Sequence, residues 1–216
     1  MAKKRRLRPA TKLELTGLPR LADLLAHLKL TAPDAWDALI VGDGSGQGWK
    51  TGGGWASVLL DRYSGQRKLC YGMQQPCTIT VAELLPYIHL LDWYTDRSGP
   101  APGRRRQKEL QKNGRNMEIH IVTDSQVIAA CGMHPESRHA HRALWASIDA
   151  FRADGYNLTF HHVRRDVIDL NILVDEVSRQ ARLGLQGIYD SAIQALQKRY
   201  PGLPETASIY DFSPNR

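Results

Sequence analysis

The stretch Asp37-Ala-Leu-Ile-Val-Gly-Asp43-Gly-Ser-Gly46 decides how this chain is read, together with Gln47-Gly-Trp-Lys-Thr-Gly52-Gly-Gly54-Trp55, which follows at once. Residues 38–41 are an uninterrupted apolar run, the pattern of a strand buried on both faces. The run ends in an acid, and the glycines beyond it predict a tight turn before a second strand over residues 55–60. A carboxylate at the end of a buried strand is costly unless something pairs with it. A metal ion would do that, and so would a catalytic role.

Working outward, Tyr63-Ser-Gly65-Gln reads as a hairpin turn into a third strand over residues 68–73, which makes an antiparallel meander. A helix follows over residues 80–94, with Pro86 inside its first two turns. Residues 117–123 predict a fourth strand ending at Asp124. Helices broken near Gly132 to Pro135 come next, the second over residues 139–153. A fifth strand is expected over 158–163, and a long last helix over 170–200. Three strands, helix, strand, helices, strand, helix is the order of a mixed five-stranded α/β sheet flanked by helices. Upstream, Leu21, Leu24, Leu25 and Leu28 form one helical stripe, ended by Ala32-Pro-Asp34. The expected organisation is a basic flexible arm (1–15), a helical addition (16–35), a catalytic domain (36–200) with a basic insertion at 96–116 that holds a short helix at 105–112, and a tail (201–216).

Composition bounds the function. At 216 residues the chain can bury a substantial core. It has no apolar run long enough for a membrane span and no h-region after its basic start. Three cysteines, Cys70, Cys77 and Cys131, form no C-x-x-C pair, which argues against a disulfide framework or a zinc cluster. An intracellular, cytoplasmic setting is expected, with the basic N-terminus leaving organellar or nuclear targeting open. The net charge of +7 is unevenly placed. Residues 1–12 hold six basic residues and no acid, and residues 96–116 hold seven against two, so the rest of the chain is acidic. A folded body with basic appendages suits a polyanion partner, and Arg104, Arg105 and Arg106 are candidate phosphate contacts.

Four acids stand where strand ends and helix starts can meet: Asp43, Glu83, Asp124 and Asp175. Gathered together they would repel one another and raise each other's pKa unless cations neutralised them. Two Mg²⁺ ions roughly 3.5–4 Å apart answer that need and suit an in-line phosphoryl displacement. Hard oxygen ligands favour Mg²⁺, with Mn²⁺ able to substitute, over zinc.

The motifs Asp43-Gly-Ser with Gly52-Gly-Gly-Trp-Ala-Ser-Val58, Ala82-Glu83-Leu84, Thr123-Asp124-Ser-Gln-Val127 and Asn171-x-x-x-Asp175-Glu-Val-Ser-Arg179 together resemble the type 1 ribonuclease H family. The match covers roughly residues 37–182. The resemblance implies a ribonuclease H-like fold and a hydrolase cutting the RNA strand of RNA/DNA hybrids, leaving 3′-hydroxyl and 5′-phosphate ends. It also implies that Asp43 bridges both ions, that Asp175 completes the ion activating water, and that Glu83 and Asp124 hold the ion at the leaving oxygen. Gly44, Ser45 and Ser125 lie beside these acids as candidate substrate contacts, and Trp49 could stack on bases or sugars. The sequence departs from the family at Ile79 and Thr80, where hybrid-reading asparagines stand in many members, so Gln74 and Gln75 are candidate replacements. It has no histidine in the loop Arg164-Arg-Asp-Val-Ile-Asp169 and no basic handle after the third acid.

Other readings of the glycines fail. A phosphate loop needs glycine directly before Lys50, and G-x-G-x-x-G from Gly44 needs it at the same place, where Trp49 stands. The glycines are instead expected to let a nucleic-acid backbone approach. Two further functions fit the same architecture: a resolvase- or integrase-like nuclease acting on DNA, and a non-catalytic nucleic-acid-binding subunit.

Overall fold

Strand β1 runs from Ala38 to Gly46 and forms the middle of the sheet. The computed structural model describes residues 21–32, 34–46, 52–64, 67–96, 101–165, 169–183 and 208–209. Along β1, Ala38 and Ile40 enter one hydrophobic cluster and Leu39 and Val41 the other, which is why the run is apolar throughout. β2 (Gly53–Asp61) and β3 (Arg67–Gln74) complete the antiparallel meander. β4 (Met117–Thr123) lies parallel to β1 on its other side, and β5 (Tyr156–His162) lies parallel to β4. The five-stranded mixed sheet expected from the sequence is present. A two-residue strand β6, Ser208–Ile209, pairs with β3 and gives the order β5-β4-β1-β2-β3-β6. The expected tail thus contributes to the sheet.

Helix α2 (Ile79–Thr95) covers one face, started by Thr78, whose Oγ1 accepts from the Val81 N–H at 3.2 Å. α3 (Pro102–Gln111), α4 (Gln126–Met133) and α5 (Arg142–Ala153) also follow the core on this side. On the opposite face lie α1 (Leu21–His27) and α6 (Asp169–Leu183), where Leu24, Leu170, Leu173 and Val177 pack with Leu39, Val41 and Val58. The expected continuation of the last helix beyond residue 183 lies outside the described residues. Among the described residues no helix is long and apolar enough to cross a membrane.

One local expectation is corrected. Gly44 and Gly46 form no turn: β1 continues through them, paired with Trp55 and Gly53, so Asp43 sits within a strand. The short helix expected at 105–112 within the 96–116 loop is present with shifted bounds, as α3, Pro102–Gln111. Gln107 ties that helix down, its Oε1 accepting from the Met117 N–H at 2.7 Å and its Nε2 donating to the Gly155 carbonyl at 2.7 Å.

Candidate active site

β1 and β4 pair in register from Ala38 with Ile119 to Val41 with Val122. Asp43 and Asp124 each stand two residues beyond the last pair, at the carboxyl ends of the two parallel strands, the place where open α/β sheets bind ligands. β1 stays paired with β2, so Asp43 is held rigidly and is only 2% exposed. Two glycines bring the helices in. A Cβ on Gly44 would fall on the backbone of Ala82 and Glu83, and a Cβ on Gly54 on Ser178 and Arg182. Without side chains at those positions, α2 can seat Glu83, and α6 Asp175, against the strand ends. The clearance these glycines give is for the two helices that carry acids, and not for a nucleic-acid strand as expected. Ser45 belongs to the same junction, its Oγ accepting from Arg182 Nε at 3.0 Å.

One carboxylate oxygen each from Asp43, Glu83 and Asp124 lies within 4.8 Å of the others. Asp43 Oδ1 accepts from the Gly44 N–H at 2.8 Å, while Asp43 Oδ2 and Glu83 Oε2 are buried with no hydrogen-bond partner. Burial, then Glu83, Asp124 and Asp175, push the Asp43 carboxyl up to about 9. Burial and Asp124 push Glu83 up to about 8, with Arg165 opposing. Arg165, in the β5–α6 connection, places Nε 2.5 Å from Asp124 Oδ2 and Nη1 3.4 Å from Asp175 Oδ1. These partners hold its guanidinium even more basic than usual, with burial working against them. An all-oxygen donor set with two buried, unpartnered oxygens fits a hard divalent cation. Asp175 stands at the rim, its side chain 35% exposed, facing Asp43 and Arg165.

The remaining candidates divide by place. Ser125 caps α4, its Oγ accepting from the Ile128 N–H at 3.4 Å. Gln74 pairs with Gly53, which pairs with Gly46, so Gln74 and the exposed Gln75 lie at the acid end of the sheet. Trp49 lies outside the described residues. Arg104, Arg105 and Arg106 are not brought to the acids. Arg106 Nη2 holds Asp37 at 3.0 Å, at the start of β1, about 20 Å from Asp43 at strand rise. The guanidinium also stacks 4.7 Å from the Tyr63 ring. Sequence reasoning missed Arg165 and Tyr87. The one signal for Arg165 was its position between the last strand and the helix of the fourth acid, and Tyr87 had its place one turn after Glu83.

No family model matches the sequence, and no curated protein matches it. Solved structures do. LC11-RNase H1, isolated from compost by a metagenomic approach, is 20% identical at a TM-score of 0.52, over 68% of this chain and 96% of its own. LC9-RNase H1, a type 1 RNase H with the type 2 active-site motif, is 15% identical at a TM-score of 0.52, over 79% of this chain and 95% of its own. A complex of LC11-RNase H1 with RNA/DNA hybrid aligns at 20% identity, TM-score 0.47, over 68% and 97%. At such identities the likeness establishes the fold. The chain is an α/β protein of ribonuclease H-like fold, with carboxylates gathered at the carboxyl ends of two parallel strands.

Proposed function

We propose that this chain is a metal-dependent endoribonuclease that cuts the RNA strand of RNA/DNA hybrids. The observation that carries the reading is the convergence of Asp43, Glu83 and Asp124 at the carboxyl ends of β1 and β4, with two buried carboxylate oxygens unpartnered. Asp175 joins them from α6. The fold likeness to two RNase H1 structures supports the same chemistry.

In this reading Asp43, Glu83, Asp124 and Asp175 would hold two Mg²⁺ ions, with Mn²⁺ able to substitute. Such ions, when bound, supply the Lewis acidity that activates water and stabilises the leaving 3′ oxygen in phosphodiester hydrolysis. The protein's part is positional. Strand pairing fixes Asp43, the glycine contacts fix α2 and α6, and Arg165 neutralises Asp124 and Asp175 until cations arrive. A cation bound there would free its guanidinium, whose planar fork is suited to a substrate phosphate. Gln74 and Gln75 lie where side chains can reach a nucleic acid crossing the start of α2. Ile79, exposed there at 48%, offers an apolar contact in place of an amide.

Labelled RNA/DNA hybrid, RNA duplex and DNA duplex, incubated with the full chain in Mg²⁺, test the proposal. Hybrid should be cut in its RNA strand and left intact by Asp124→Asn. Hybrid cleavage no greater than that of the variant would sink the reading, and preferential DNA cleavage would move it to a DNA nuclease.

A further inference from the structure

Beneath the acids lies a buried tyrosine that the chemistry above leaves unused. Tyr87 stands one helical turn after Glu83 on α2, its ring fully buried. It fits there because residue 42 is glycine: a Cβ on Gly42 would lie 2.7 Å from Tyr87 Cε1. The phenol donates to the Gly42 carbonyl at 2.7 Å and passes 3.3 Å from the Val122 carbonyl. The Thr123 side chain is also near the phenol. Thr123 Oγ1 itself accepts from the Ser125 N–H at 3.1 Å.

Those contacts tie three elements together: the phenol, on α2, lies between the Gly42 carbonyl of β1 and the Val122 carbonyl of β4. Each of the three carries an acid close by. Gly42 precedes Asp43, Val122 stands two residues before Asp124, and Tyr87 follows Glu83 by one turn. Burial keeps the phenol protonated, its pKa well above the ordinary tyrosine range, so it remains a donor. A hydrogen bond in such a dry site is directional, and its loss leaves a buried carbonyl without a donor.

We propose that Tyr87 is a positioning residue whose hydroxyl, through the Gly42 and Val122 carbonyls, fixes the spacing of Asp43, Glu83 and Asp124 for cation binding. The inference rests on the metal reading of the acid cluster and is independent of which nucleic acid is cut. It differs from simple core packing, because the ring of Tyr87→Phe would fill the same space and lose only the link.

Mn²⁺ titration of the full chain by calorimetry, without nucleic acid, tests it. Tyr87→Phe should weaken Mn²⁺ binding by about tenfold, the low end for lost outer-shell support, and alter the electron paramagnetic resonance spectrum of the bound ions. Tyr94→Phe, a buried tyrosine further along the same helix whose hydroxyl faces Asp61, controls for general loosening and should bind Mn²⁺ as the native chain does. Native Mn²⁺ affinity in folded Tyr87→Phe would overturn the proposal, as would an equal loss in Tyr94→Phe. If the native chain binds Mn²⁺ and leaves hybrid uncut while Tyr87→Phe binds it weakly, the positioning role stands and the substrate reading falls. If Tyr87→Phe binds and cuts as the native chain does, the reverse holds.

Discussion

Arg165 is where the acid cluster meets its own counter-charge. Its guanidinium touches Asp124 and Asp175 at once, from a side chain 56% exposed. A cation entering between those carboxylates must displace it, so the arginine and the metal compete for the same oxygens. Partly exposed ion pairs are worth little each, so the two together are taken as about 1 kcal/mol, or roughly fivefold in affinity. Arg165→Ala should therefore bind Mn²⁺ severalfold more tightly than the native chain in the absence of nucleic acid, as read by calorimetry. Cleavage of hybrid should move the other way, because the released guanidinium is lost to the substrate phosphate. Unchanged Mn²⁺ affinity would show that the arginine does not occupy the cation's place.

Among the elements, α3 differs most from its expectation. Its arginines read as phosphate contacts because charge is legible in a sequence, while a distant partner is not. Asp37, 6% exposed at the start of β1, accepts from both Arg106 and the Glu118 N–H at 3.0 Å. Arg106 is thereby a structural cation that pins α3 to the end of the sheet remote from the acids. Removing it leaves a buried carboxylate with one backbone donor, so Arg106→Ala should lower stability by about 2–4 kcal/mol. Denaturant unfolding would measure that loss, with Mn²⁺ affinity of the folded variant retained. Arg105, 78% exposed and beside Glu109 at 3.5 Å, is the contrast: Arg105→Ala should stay within about 0.5 kcal/mol of native stability. Equal effects from the two substitutions would remove the distinction. The glycine-rich segment teaches the same lesson. Gly44 was conspicuous as a residue lacking a side chain, yet what fills the space, the backbone of Ala82 and Glu83 on α2, lies far along the chain.

At the scale of the whole molecule, what was legible follows from period and order. The apolar run of β1, the strand endings at Asp43 and Asp124 and the helix starts near Glu83 and Asp175 gave the mixed sheet and the edge where the acids lie. The β6 pairing, the Arg165 bridge and the Tyr87 links depend on contacts between segments far apart in sequence, which no local pattern encodes. The same convergence ties the site to global stability. Asp43 and Glu83 titrate at about 9 and about 8 in the folded chain, against roughly 4 for a carboxyl in an unfolded one. Below about pH 4 both states hold these protons and nothing is lost. From there to about pH 9 the folded state binds more protons than the unfolded, so raising the pH favours unfolding. The melting temperature of the metal-free protein should therefore fall markedly between pH 5 and pH 9. Asp43→Asn should flatten that fall by removing the group with the larger shift. Divalent cations bind the deprotonated acids of the folded chain alone, so added Mg²⁺ should restore the melting temperature, and by more at pH 9 than at pH 5. Scanning calorimetry across that range, with and without Mg²⁺, decides the matter. A Mg²⁺ effect independent of pH, or equal in Asp43→Asn, would mean that the cation binds elsewhere than between these carboxylates.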